Sequence, residues 1–156
     1  SEASRKDVQL IRAEHDAILT GGNTIRSDQP RMNARVEFPL IQPQKILLSE
    51  QKEWDLSLDF FQDSKVKIID EKDLVKVVEV LSKQELNSLL VEAGPRLVNS
   101  FLKEGLCDEM IIYQSPDQLG EDGVSWSLND AMIDKYGLSL KSSYTIDRDK
   151  KTVFEK

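Results

Sequence analysis

The chain has 156 residues, 39% of them hydrophobic and 31% charged, the size and balance of one globular domain. A net charge of −7 argues against general affinity for nucleic acid or anionic lipid, and no run of 18 apolar residues is present to span a bilayer. The single cysteine, Cys107, has no partner for an internal disulfide and no signal-peptide pattern is found, so a cytoplasmic protein is expected.

Residues 1–14 read as a helix with a short apolar stripe at Val8, Leu10 and Ile11. Residues 16–20 predict a short strand, stopped by Gly21 and Gly22. No long period runs through 23–43, where Pro30, Pro39 and Pro43 predict mostly loop with one helical turn near Thr24. The apolar runs 45–49 and 66–70 are of buried-strand type. Asp73 is placed to cap a helix with Leu74, Val77, Val78 and Leu81 on one side. Residues 88–92 predict another buried strand. Leu97, Val98, Phe101 and Leu102 follow at helical spacing, with Gly105 as the stop. A strand is expected over 109–114 and a loop over 116–131. Segments near 138–147 and 151–155 flank Asp147, Arg148, Asp149 and Lys150 as a hairpin. Strands alternating with helices predict an α/β fold with a largely parallel sheet and an antiparallel C-terminal edge. No internal repeat or linker divides it.

Charge is uneven along the chain. Residues 1–45 carry 7 Lys/Arg against 6 Asp/Glu, and residues 46–156 carry 14 against 22. A site for an anionic small molecule is therefore better supported in the first third, although scattered solvated charges would give the same count. The two strand ends at Thr20-Gly21-Gly22 and Glu92-Ala93-Gly94 lie where parallel α/β sheets bind ligands. Gly94 permits close backbone approach, Pro95 suits the first helical position, and the free N–H groups of a helix start attract anions. Gly-Pro turns also serve packing alone. Neither GxGxxG nor a Walker motif occurs, and one histidine (His15) with one thiol gives no metal set. Glu92, directly after three apolar residues, must be paired or aimed at a polar ligand group. A salt bridge to Arg12, Arg31 or Arg35 and a substrate contact both satisfy that demand.

Three stretches carry a family resemblance: RKDVQLIRAEHDAILTGGNTIRSDQPRMNAR (5–35), KILLSE (45–50) and LLVEAGPRLVNSFLKEG (89–105) running on into LCDEMIIYQ. The specific elements are T-x3-D-x-P-x4-R from Thr24 to Arg35, EAGP-x-L from Glu92, and G-L-x-D-E from Gly105. Over about residues 1–120 the chain resembles the reductase domain of the bacterial bifunctional riboflavin-biosynthesis deaminase/reductase. That resemblance implies a dihydrofolate-reductase-like three-layer fold and NADPH-dependent reduction of 5-amino-6-(5-phosphoribosylamino)uracil, with hydride passing to the sugar C1′. Arg12, Met32, Arg35 and Glu92 match the family's substrate contacts. Glu92 is the expected catalytic carboxylate, stabilising an iminium or relaying a proton. Thr24, Asp28 and Ser49 match cofactor contacts, and Gly94, Pro95, Arg96, Leu97, Val98, Asn99 and Ser100 match the cofactor-binding turn; no metal is expected.

Family reductase domains have one more strand before a W-I-T-S-like segment, whose last serine aligns with Ser1. The expectation is thus a single reductase domain over 1–156, N-terminally truncated, without that strand and without the zinc deaminase domain fused upstream. A homodimer is implied as well. Two other functions stay open from the sequence: the same reduction performed before deamination, on the 2,5-diamino-pyrimidinone, and a non-catalytic dimerisation module using DEMIIYQ (108–114) as its interface.

Overall fold

Three consecutive apolar residues recur three times between residues 17 and 91, and these runs, with the Lys67-interrupted VKII segment, form four parallel strands. These are β1 (Ala17–Gly21), β2 (Gln44–Leu48), β3 (Val66–Ile69) and β4 (Leu89–Val91), in the order β3-β2-β1-β4. The structure, a computed structural model, describes residues 1–62, 65–117, 120, 126 and 133–156. They fall into two compact units, Val8–Ser100 and Ser1–Asp7 with Phe101–Lys156.

In the first unit, Ala17, Ile18 and Leu19 of β1 and Ile46 and Leu47 of β2 have no exposed surface, as central parallel strands covered on both faces require. Leu19 stands opposite Ile46 on one side and Val91 on the other. Asp16 fixes that register from below: its carboxylate accepts from the Asn87 N–H at 2.8 Å, the Ser88 N–H at 3.1 Å and the Ser88 hydroxyl at 3.3 Å. The same bonds, the Asn87 amide foremost, hold the Asp16 carboxyl below its ordinary range. A core of Ile18, Ile25, Met32, Leu47 and Phe60 packs with Trp54, Leu58, Phe61, Val66 and Leu90. Lys45 is buried in β2, its ammonium donating to the Phe60 and Gln62 carbonyls at 2.9 and 3.1 Å and so holding the 3-10 turn Asp59–Phe61.

Helix α1 covers Glu2–Ala13, and α2 covers Gly22–Asp28. The sequence predicts only a helical turn near Thr24; the chain instead enters α2 directly from β1, because Gly21 is extended and Gly22 leaves room for an aromatic lid. A β-carbon on Gly22 would lie 3.0 Å from the Trp54 ring and 3.2 Å from the Ser49 hydroxyl. Helix α3 (Leu74–Ser82) starts at Asp73, whose carboxylate accepts from the N–H groups of Val75 and Lys76, and it buries Leu74, Val77 and Leu81. Helix α4 (Pro95–Lys103) begins one residue after Gly94.

The second unit contains β5 (Glu109–Gln114), β6 (Ser139–Ile146) and β7 (Asp149–Glu155) as an antiparallel sheet in the order β5-β7-β6. The expected terminal hairpin is present, turning at Asp147 with φ of 55°. Within it β7 also pairs with β5, Met110 opposite Phe154 and Ile111 opposite Val153, so β5 belongs with the hairpin and not with the parallel strands. Asp7 accepts from Lys151 at 2.6 Å and from the Tyr113 hydroxyl, and the Lys151 ammonium lies over the rings of Tyr113 and Tyr144. The loop expected over 116–131 lies outside the described residues except at 116, 117, 120 and 126.

Candidate active site

Glu92 is placed by the sheet. Its N–H donates to the Leu19 carbonyl at 3.0 Å, which extends the β1–β4 ladder by one bond and sets the side chain at the strand tip. There it meets Arg12 from the last turn of α1. Arg12 Nε donates to Oε1 at 2.7 Å and Nη2 to Oε2 at 2.5 Å, a side-on fork with both charges largely withdrawn from water. The side chains are 12% and 24% exposed, so salt screens the pair far less than a surface pair. Of the three partners open to Glu92 from the sequence, the geometry selects Arg12; Arg31 lies 3.6 Å from Asp59 instead.

Arg12 also draws in the loop after α2, since its Nη1 donates to the Asn33 carbonyl at 3.2 Å. Three of the five guanidinium N–H groups are thereby committed among the described residues, and the other two are not. Gln42 clamps the next residue, Oε1 accepting from the Ala34 N–H and Nε2 donating to the Ala34 carbonyl, both at 2.9 Å. The Arg35 N–H donates to Gln9 Oε1 at 3.0 Å, while the Arg35 residue is exposed two positions beyond Asn33. Met32 is buried in the core beside Ile18 and Ile25, with φ of 52°. A left-handed conformation is uncommon for a residue with a β-carbon and concentrates at functional sites.

The expected cofactor residues form two groups. A cavity of about 270 Å³ lies beyond the carboxyl end of β2 and is lined by Ser49, Leu97 and Ser100 among others, with the Glu50–Lys72 ion pair at 2.5 Å on its wall. Gly94 precedes it on the α4 side; its carbonyl accepts from Leu97 and Val98, and no atom lies within 4 Å of where a β-carbon would stand. Pro95, Val98 and Asn99 are half-buried in α4 and Arg96 is exposed. Thr24 and Asp28 sit on α2, half-buried and exposed respectively, and do not line this cavity.

Sequence reasoning missed Asn33, Gln9 and Gln42, neutral amides whose roles depend on which loop folds over which helix. The lone histidine and thiol are in local packing: His15 Nδ1 pairs with the Ile11 carbonyl at 2.7 Å, and Cys107 Sγ contacts the Glu109 carbonyl at 3.3 Å with burial pushing its thiol up. Among the described residues no group of three or more His, Cys, Asp or Glu is placed to hold a metal, and no helix is long and apolar enough to cross a membrane.

Residues 1–152 match the family model described as the RibD C-terminal domain. The chain is 32% identical over 157 residues to riboflavin biosynthesis protein RibD of Escherichia coli (strain K12), covering 78% of this chain and 43% of that protein. It is 30% identical over 158 residues to the 5-amino-6-(5-phosphoribosylamino)uracil reductase of Buchnera aphidicola subsp. Acyrthosiphon pisum (strain APS), covering 78% of this chain and 76% of that one. Among solved structures, RibD of Acinetobacter baumannii (form 2) superposes with a TM-score of 0.83 at 25% identity, covering 99% of this chain and 51% of that chain. The chain thus spans less than half the length of the RibD proteins of E. coli and Aquifex aeolicus (strain VF5).

Proposed function

The chain belongs to the RibD C-terminal domain family, and from that membership we propose that it is the reductase of riboflavin biosynthesis that acts on 5-amino-6-(5-phosphoribosylamino)uracil, using NADPH. The observation that carries the reading is the Arg12–Glu92 fork at the tip of β4, two residues before the open backbone of Gly94. The expected substrate is the one named for the Buchnera relative, and the expected pathway the one named for the E. coli relative.

The residues present fit a nicotinamide dinucleotide. The cavity presents the Ser49 and Ser100 side chains with Leu48, Leu74 and Leu97 beside the charged Glu50, Glu71 and Lys72, and the open backbone at Gly94 leaves the start of α4 accessible to a phosphate. When bound, the reduced nicotinamide supplies the hydride that C1′ of the ribosyl unit receives. This chain's own part is placement and charge. Glu92, held in one orientation by two bonds from Arg12, presents carboxylate lone pairs to the positive charge on the open-chain C1′ imine and carries a proton to or from its nitrogen. The two remaining Arg12 N–H groups and the exposed Arg35 guanidinium take substrate oxygens, the phosphate among them. Met32 closes the floor beneath the base, and Thr24 and Asp28 contact the cofactor from α2.

In the intact protein the proposal includes the deaminase domain upstream, a further strand preceding Ser1, and a homodimer. Consumption of NADPH upon addition of the deaminated pyrimidine, followed by its nicotinamide absorbance, is the expected result. A protein that binds the pyrimidine but shows no dinucleotide binding by calorimetry would refute the reading.

A further inference from the structure

The loop that Arg12 holds has its backbone polar groups met in sequence. The Asn33 carbonyl accepts from Arg12, both polar groups of Ala34 pair with Gln42, and the Arg35 N–H donates to Gln9. Against that accounting stands the Asn33 side chain. The residue is 9% exposed, and its Oδ1 is buried without any hydrogen-bond partner in the protein. Among the described residues the other side-chain atoms in this condition belong to Thr20 and Asp149. Asn33 is the one whose own carbonyl is hydrogen-bonded to Arg12 of the Arg12–Glu92 pair.

An unmet buried amide oxygen destabilises the free chain, and a hydrocarbon of similar volume would not carry that cost. Each such group in a folded protein calls for an explanation, and completion by a ligand is one that fits a residue tied to Arg12. The preceding Met32, at φ of 52°, adds a second strained feature at the same turn. We propose that Asn33 is a specificity-determining residue of this site, its Oδ1 accepting a hydrogen bond from a neutral N–H or O–H donor of the substrate. The assignment rests on the reductase reading, and it selects for ligands by a mechanism the charged pair lacks. Arg12 and Glu92 recognise charge; the amide oxygen requires one uncharged donor at one place and penalises any ligand that leaves it unmet.

The test uses Asn33→Leu and Asn33→Ala, with two probes: the reduced product 5-amino-6-(5-phosphoribitylamino)uracil, and ribitol 5-phosphate, which has no base. Melting of the free variants is expected to stay at or above that of the wild type. Calorimetric affinity for the product is expected to fall by about 10- to 100-fold in both variants. A parallel loss for ribitol 5-phosphate assigns the donor to a sugar-chain hydroxyl, and a loss confined to the product assigns it to an N–H of the base. Unchanged affinity in variants that melt like the wild type would overturn the role of Asn33 while leaving the reductase reading intact. Lower melting of both variants without loss of affinity would overturn it too, because the amide would then be satisfied without substrate. A wild type that binds neither probe would overturn the reductase reading, and this assignment with it.

Discussion

Arg12 and Glu92, 80 residues apart in sequence, meet edge to edge, with two nitrogens of one guanidinium facing the two oxygens of one carboxylate. A pair this well matched and this little exposed does two jobs at once. It fixes the orientation of the carboxylate proposed to act on the substrate, and it ties the last turn of α1 to the tip of β4.

Glu92→Gln separates the two jobs. The amide keeps the shape but leaves the Arg12 charge uncompensated, and breaking a buried pair from one side costs roughly 3 kcal/mol. Turnover with NADPH and the deaminated pyrimidine is expected to fall at least about 100-fold. The double change Arg12→Met with Glu92→Leu is expected to recover much of the melting temperature and none of the activity. Thermal melts run beside steady-state assays check both halves.

Two glycines that look alike in the sequence respond oppositely. Gly22→Ala forces a β-carbon to within 3.0 Å of Trp54 and is expected to cost roughly 1–3 kcal/mol, with a shift in tryptophan emission. Gly94→Ala meets no atom within 4 Å, so its urea midpoint is expected to match the wild type. Its affinity for NADPH is expected to drop about tenfold, since the added methyl occupies space that the proposed phosphate needs. Equal affinities would remove Gly94 from the cofactor site.

The Asp7–Lys151–Tyr113 cluster predicts two pH limbs. Burial works against the Asp7 charge, but the bonds from Lys151 and Tyr113 prevail and hold its carboxyl below the ordinary 3.8. Its stabilisation is therefore complete above about pH 4 and is lost as pH falls through the lowered value. Burial and then Asp7 push the Tyr113 phenol above its ordinary 10, and Asp7 holds the Lys151 ammonium above its ordinary 10.5 against burial. Those contributions are complete below about pH 10 and disappear as pH rises through the raised values. The stability difference between wild type and Asp7→Asn is expected to be flat between these limits and to shrink on the acid side. Ultraviolet titration is expected to show the Tyr113 phenol ionising above the ordinary phenol range, a late phase that Tyr113→Phe removes.

Asp73→Ala removes the acceptor for the Val75 and Lys76 amides at the start of α3. A lower urea midpoint is expected, with Asp73→Asn close to wild type.

What the sequence made legible was local. Ala17 to Leu19, Ile46 to Leu47 and Leu89 to Val91 are apolar runs too short for helices, and Asp73 and Pro95 announce helix starts by their own chemistry. Helix α2 was hidden because two glycines and a nearby proline normally end regular structure, and only the packing of Trp54 against Gly22 shows why they do not here. Glu92 announced its need for a partner, yet three arginines could have met it; the choice of Arg12 depends on tertiary packing that brings the last turn of α1 to the tip of β4. Strand β5 reads the same whether its neighbour is parallel or antiparallel. The buried amide of Asn33 gave no signal, because a loop asparagine is ordinarily solvated.

Strand β1 waits for its last neighbour across 72 residues, from Asp16 to Ser88. A chain still being synthesised can bury β1 against β2 soon after both emerge, but it holds no carboxylate for Arg12 until the segment beyond Ser88 has left the ribosome. The Arg12–Glu92 fork, and with it the cleft proposed to take the substrate, is thus among the last features of this unit to form.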